Sequence, residues 1–157
     1  SELELKKKDL FMNTFNTLND HFKEAFVQLS TKGSEAYLMI ENPENPFEAG
    51  VRVRVRIVGE KFMDIRSLSG GEKTMTALAF IFSIQEHDPA SFYIFDEVDA
   101  ALDKKNSEKF AQLIKKYSEK AQYIVISHND NVITSANTLY GVSMDEHGMS
   151  NVVSLKV

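Results

Sequence analysis

Phe92-Tyr93-Ile94-Phe95-Asp96-Glu97-Val98-Asp99-Ala100-Ala101-Leu102-Asp103 is the stretch on which the fold turns. Apolar residues run without alternation into two consecutive acids, which predicts a short buried strand of a parallel sheet. Such sheets present functional groups at the carboxyl ends of their strands. There Asp96 suits the shell of a Mg²⁺ ion, and Glu97 suits orienting or deprotonating a water. A strand ending in a solvated acidic turn would show the same residues, so the pair alone leaves both readings open. Asp103 stands where a helix N-cap is expected, and that duty alone would account for it.

Downstream, an amphipathic helix is predicted over about 104–120, then a second apolar strand, Tyr123-Ile124-Val125-Ile126. A short helix near 131–136 and strands near 138–143 and 151–155 complete the chain. Strands alternating with helices from residue 90 onward predict a parallel sheet with crossover helices. Of His21, His87, His128 and His147, only His128 falls at the end of a buried strand. A lone histidine there is ordinarily a turn residue.

Upstream, Leu68-Ser69-Gly70-Gly71-Glu72 opens a helix predicted to reach Gln85 and end at Pro89. It is apolar on most sides (Met75, Leu78, Phe80, Ile81, Phe82, Ile84) and therefore expected to be buried. Ser69 and Glu72 stand in the capping-box relation, which needs no ligand. The box does not explain two glycines in a first helical turn, where each costs about 1 kcal/mol against alanine. Glycines there admit close approach of another molecule, and free N–H groups at a helix start suit a phosphate.

Residues 3 to about 30 predict one amphipathic helix, either a surface helix or the returning end of a coiled coil. Ala36–Ile40 reads as a strand, 42–46 as a turn-rich loop, and Val51-Arg52-Val53-Arg54-Val55-Arg56-Ile57 as an alternating strand. Its arginine row is most simply a solvated face. The chain's 157 residues suit one domain, and 43% hydrophobic with 26% charged residues excludes disorder. The absence of cysteine excludes disulfides and thiolate metal sites and points to a reducing compartment. A net charge of −5 argues against a dedicated nucleic-acid-binding domain. No apolar run approaches a membrane span and no signal peptide is visible. Opening on Ser1 inside a predicted helix, the chain reads as an excerpt.

The order of these features carries more than any one of them. Leu68-Ser69-Gly70-Gly71-Glu72, a long helix, the strand ending in Asp96-Glu97, then Ala101-Leu102-Asp103, and finally Ser127-His128 resembles the ABC-type ATPase series. That series runs signature motif, Walker B, D-loop, switch histidine. The resemblance is closest to the structural-maintenance-of-chromosomes (SMC) proteins, through Lys73-Thr74 and Ala77-Leu78-Ala79-Phe80 after the signature and through Val98-Asp99 after the acid pair. The 41–47 loop and Val152-Val153-Ser154-Leu155 are similar to SMC C-terminal lobes, and Ser127-His128 is similar to prokaryotic and archaeal members.

The resemblance implies an α/β, mostly parallel ABC-ATPase C-terminal lobe over 31–157, with a smaller strand region in front. It makes 1–30 the descending end of a coiled coil and neck helix. It further implies that Asp96 supports Mg²⁺ through water, while Glu97 and His128 act on the attacking water and the γ-phosphate. Leu68, Ser69, Gly70, Gly71 and Glu72 would reach ATP on a second head, and Asp99, Ala100, Ala101, Leu102 and Asp103 would form the contact between heads. The chain has seven glycines and none is followed by lysine, so it carries no G-x-x-x-x-G-K-[ST] phosphate loop. The resemblance resolves this by placing the P-loop in a separate N-terminal lobe. A second head, a kleisin winged-helix domain and DNA through the assembled complex are the partners implied, in the cytoplasm on the chromosome, with no membrane. Another coiled-coil ABC ATPase, such as a recombinational repair protein, would share these motifs, and a non-catalytic module would not be expected to keep both Asp96 and Glu97.

Overall fold

The computed structural model describes residues 2–156. Helix α1 (Glu2–Leu29) buries only its C-terminal turns, through Phe22, Ala25, Phe26 and Leu29, and leaves Leu3, Leu5 and Leu10 exposed. Asn19 ties it to the next element. Its side-chain amide accepts from the Leu38 N–H at 2.8 Å and donates to the Leu38 carbonyl at 3.2 Å.

Strands β1 (Glu35–Ile40), β2 (Val51–Arg56) and β3 (Met63–Asp64) form an antiparallel sheet in that order, with Ala36 opposite Val55 and Leu38 opposite Val53. The period of two sorts the faces as the alternation predicts. Val55 is fully buried, whereas Arg52 pairs with Glu41, Arg56 with Glu35, and Arg54 donates to the Phe62 carbonyl. The arginine row is thus a solvated face satisfied within the chain.

Helix α2 (Gly70–His87) lies against α1, followed by β4 (Phe92–Asp96), α3 (Lys104–Tyr117), β5 (Gln122–Ile126) and the short α4 (Asp130–Ile133). Strands β4 and β5 are parallel, with Phe95 beside Val125 and Asp96 beside Ile126. The core is aromatic. Phe95 of β4 lies 6.0 Å from Phe82 of α2 and 6.0 Å from Phe110 of α3, and Phe82 stacks on Tyr117 at 4.9 Å. Phe82 and Phe110 are fully buried, and each stabilises the fold by about 1.5–3 kcal/mol through burial. Burial pushes the Tyr117 phenol up to about 12 and raises that of Tyr123, so both remain neutral at ordinary pH.

Three expectations are corrected. The sheet is not mostly parallel: β4–β5 is the only parallel pair among the described residues, and β6 (Thr138–Met144) pairs antiparallel with β7 (Ser150–Lys156). The connection between them is too short for a crossover. Asp145 accepts from the N–H groups of His147 and Met149, and Gly148 takes φ +79°, closing a hairpin. The second correction concerns β4 and β5, which are not buried on both faces. Tyr93, Phe95, Tyr123 and Val125 turn toward the helices, but Phe92, Ile94, Ile124 and Ile126 are 45–58% exposed. Third, α2 is not buried all round, since Phe80, Ile81 and Ile84 face outward. In this chain helices cover a single face of the β4–β5 pair, and nothing among the described residues covers the outward side of α2. Helix α3 stops at Tyr117 rather than near 120, and α4 is shorter than its predicted 131–136.

Candidate functional site

The carboxyl end of β4 sets the site. The Glu97 N–H donates to the Ile126 carbonyl at 2.9 Å, extending the ladder one residue past Asp96. Glu97 then adopts φ +48°, the only left-handed non-glycine among the described residues. Such a conformation costs of order 1 kcal/mol or more and persists where the surroundings over-determine it. It breaks the strand sharply into the 97–102 turn, closed by Ala100 N–H to Glu97 carbonyl at 3.1 Å and Leu102 N–H to Asp99 carbonyl at 3.0 Å.

The turn brings Glu97 to His128, with Oε1 and Nε2 3.1 Å apart. Both side chains are solvent-facing, at 53% and 89% exposure, so each is accessible to a ligand while touching the other. Asp96 is exposed at the same strand end and makes no side-chain hydrogen bond or ion pair among the described residues. The two candidates Glu97 and His128, distant in sequence, are therefore adjacent in space because β4 and β5 are parallel neighbours in register.

The remaining residues of the acidic stretch divide. Asp103 caps α3, accepting from the Asn106 N–H at 2.8 Å, as its local duty predicts. Asp99 turns inward. It is buried, and its Oδ2 accepts from the Ser127 hydroxyl at 2.6 Å, because the left-handed turn at Glu97 directs it inward. Ala100 and Ala101 remain exposed, while Leu102 packs against the core. Sequence reasoning missed Asn129 and Ser107, which join this network: Asn129 donates to the Ser107 hydroxyl at 2.9 Å and caps α4. The cue was the capping residue type of Asn129 before a short helix.

At the start of α2 the capping box is formed, with Glu72 Oε2 accepting from the Ser69 N–H at 2.8 Å and Ser69 Oγ from the Glu72 N–H at 3.4 Å. Leu68 is buried and anchors this end. The two glycines answer to different constraints. A Cβ on Gly71 would meet the Ala101 carbonyl oxygen at 3.1 Å, whereas one on Gly70 would enter open space. Gly71 is explained by the fold; Gly70 is not. Gly70→Ala is therefore expected to stabilise the fold by up to about 1 kcal/mol through helix propensity, and Gly71→Ala to lose that gain to the backbone contact. Thermal melts of the two variants check this, and equal gains would show that the Ala101 contact is slack.

A model of the RecF/RecN/SMC N terminal domain family matches residues 5–151. The chain belongs to this SMC-containing family. It is 46% identical over 157 residues to the chromosome partition protein Smc of Pyrococcus furiosus, and 44% identical over 156 residues to that of Methanocaldococcus jannaschii. Each alignment covers 99–100% of this chain but 13% of the relative, so the chain spans about an eighth of the length of these SMC relatives. Among solved structures, the Pyrococcus furiosus Smc head with an extended coiled coil, bound to the C-terminal domain of ScpA, superimposes with a TM-score of 0.93 at 46% identity. That match covers 99% of this chain and 38% of the other. A second, from work on ATP-driven dimerization and DNA-stimulated activation of SMC ATPases, gives a TM-score of 0.86 at 44% identity, covering 95% of this chain and 89% of that one. The fold is that of the mixed α/β SMC head. Among the described residues no helix is long and apolar enough to cross a membrane.

Proposed function

We propose that the chain is the C-terminal half of an SMC ATPase head, which binds and hydrolyses ATP only with a P-loop-bearing N-terminal lobe and a second head. The observation that carries this reading is the Glu97–His128 pair at the end of parallel strands, in a chain with no P-loop. The matching family is described as an N terminal domain; motif content supports the other half, since an N-terminal lobe would have to supply the phosphate loop that this sequence lacks. The open apolar face of Phe92, Ile94, Ile124 and Ile126 supports a missing lobe as well, and so, on a separate surface, do the outward Phe80, Ile81 and Ile84 of α2. Exposed apolar surface of this kind marks an interface.

In this reading residues 1–30 are the descending coiled-coil end and neck, and 31–157 the lobe. Asp96 would hold a hydrated Mg²⁺, whose charge would offset that of the phosphates. One free carboxylate fits an ion that keeps most of its waters and takes its other oxygens from the nucleotide. Glu97 orients the attacking water and accepts its proton, and His128 steadies Glu97 and reaches toward the γ-phosphate. Ser69, Gly70 and Gly71, at the open start of α2, receive the γ-phosphate of ATP held by the second head, with Gly70 free for close backbone approach. ATP then engages two heads, and hydrolysis releases them. The P. furiosus head bound to ScpA supports a kleisin partner of the same kind, and the dimerizing, DNA-stimulated SMC ATPase supports a second head and DNA. Chromosome organisation and segregation is the process that follows.

Co-expression of this chain with the P-loop-bearing lobe tests the reading. ATP-dependent dimerisation and turnover are expected of the pair and of neither part alone. Turnover by this chain without its complement would overturn it.

A further inference from the structure

Beneath the Glu97–His128 pair lies a set of polar contacts that the proposed function leaves without a role. Asp99 is 4% exposed and engaged in no ion pair among the described residues; its Oδ2 accepts from Ser127 Oγ at 2.6 Å. Ser127 Oγ in turn accepts from the Asn129 N–H at 2.9 Å, and the Asn129 amide donates to Ser107 Oγ at 2.9 Å. Ser107 is fully buried in α3. A buried carboxylate is a demanding way to secure a turn, because its desolvation must be offset by charge-assisted hydrogen bonds.

The position of this network indicates what the burial supports. Asp99 lies two residues after Glu97, and Ser127 lies immediately before His128. The hydroxyl–carboxylate bond therefore fastens together the two loops that carry the exposed pair. No other side-chain bond between the 97–103 turn and the 127–129 loop is present among the described residues, apart from the Glu97–His128 contact itself. His128 is 89% exposed, so packing does not hold its ring. Its place is inherited from the backbone at Ser127.

We propose that Asp99 and Ser127 are positioning residues, a part-buried clamp that keeps His128 Nε2 within reach of Glu97. The assignment rests on the hydrolytic role proposed for that pair. It gives Asp99 a task within its own head.

The test uses the complete head, with the P-loop-bearing lobe, carrying Asp99→Ala, Asp99→Asn, Ser127→Ala or the first and third together. Asp99→Ala is expected to lower kcat roughly tenfold or more, the scale of a lost hydrogen bond to a charged group, with KM for ATP and ATP-dependent engagement nearly unchanged. Asp99→Asn, whose amide oxygen accepts from the same hydroxyl, restores most of the rate. Ser127→Ala matches Asp99→Ala, and the double variant is no worse than either, as expected of one shared interaction. Unchanged kcat in Asp99→Ala, additive losses, or joint loss of engagement and folding would overturn the clamp. A wild-type head without ATP turnover would instead sink the hydrolytic reading. The ¹⁵N shifts of the His128 ring then decide the clamp alone: moved by Asp99→Ala and restored by Asp99→Asn, it stands; unmoved, it falls.

Discussion

Glu97→Gln in the completed head is expected to leave ATP binding intact, reduce hydrolysis by roughly 10²-fold or more, and accumulate engaged head dimers. The substitution is nearly isosteric. The introduced amide keeps an oxygen where Glu97 Oε1 meets His128 at 3.1 Å, and the backbone bond from residue 97 to the Ile126 carbonyl is untouched. What disappears is the carboxylate able to take a proton from water. Binding survives because, in the proposed reading, the phosphate grip belongs to the other lobe and the trans contact to Ser69, Gly70 and Gly71. Since γ-phosphate holds two heads together in this scheme, slowing its removal prolongs engagement. Single-turnover hydrolysis and ATP-dependent cross-linking measure the two effects separately. A normal rate in this variant would remove Glu97 from the chemistry.

The same residue shows how far the sequence could be read. Periodicity located α1, the alternating β2 and the strand at β4, because each answers to local side-chain pattern. The motifs singled out Glu97 and His128, and the parallel pairing of β4 with β5 brings them together. Three things were not legible. The faces of β4, β5 and α2 left open here are apolar in sequence, and sequence cannot say whether a cover comes from the same chain. The hairpin at β6 and β7 was masked by the alternating pattern before it, although turn residues at Asp145 and Gly148 were present to announce it. The inward course of Asp99 depends on the left-handed φ at Glu97, a backbone state that nothing in a glutamate predicts. Where local preference and fold disagree in this way, a functional constraint is the usual cause.

Ser69→Arg should act in the opposite sense to Glu97→Gln: ATP is still bound, and engagement is lost. Ser69 is exposed at the open start of α2, beside a glycine whose missing Cβ faces empty space. An arginine there fills the volume that a second head's γ-phosphate would need, and its length keeps the two surfaces apart. The change also removes the hydroxyl that caps the Glu72 N–H, at a cost of about 1 kcal/mol, too small to unfold a domain of ordinary stability. Ser69→Ala separates the two effects, since it loses the cap and adds no bulk. That variant is expected to engage, more weakly, while Ser69→Arg remains monomeric at saturating ATP. Turnover should fall with engagement, because in the proposed reading Glu97 and His128 of one head act on a nucleotide that the other head's α2 must close. Size-exclusion chromatography with ATP, in the Glu97→Gln background that prolongs engagement, gives the sharpest contrast. A stable dimer of Ser69→Arg under those conditions would mean that the glycine pair serves its own head, and the trans assignment would fail.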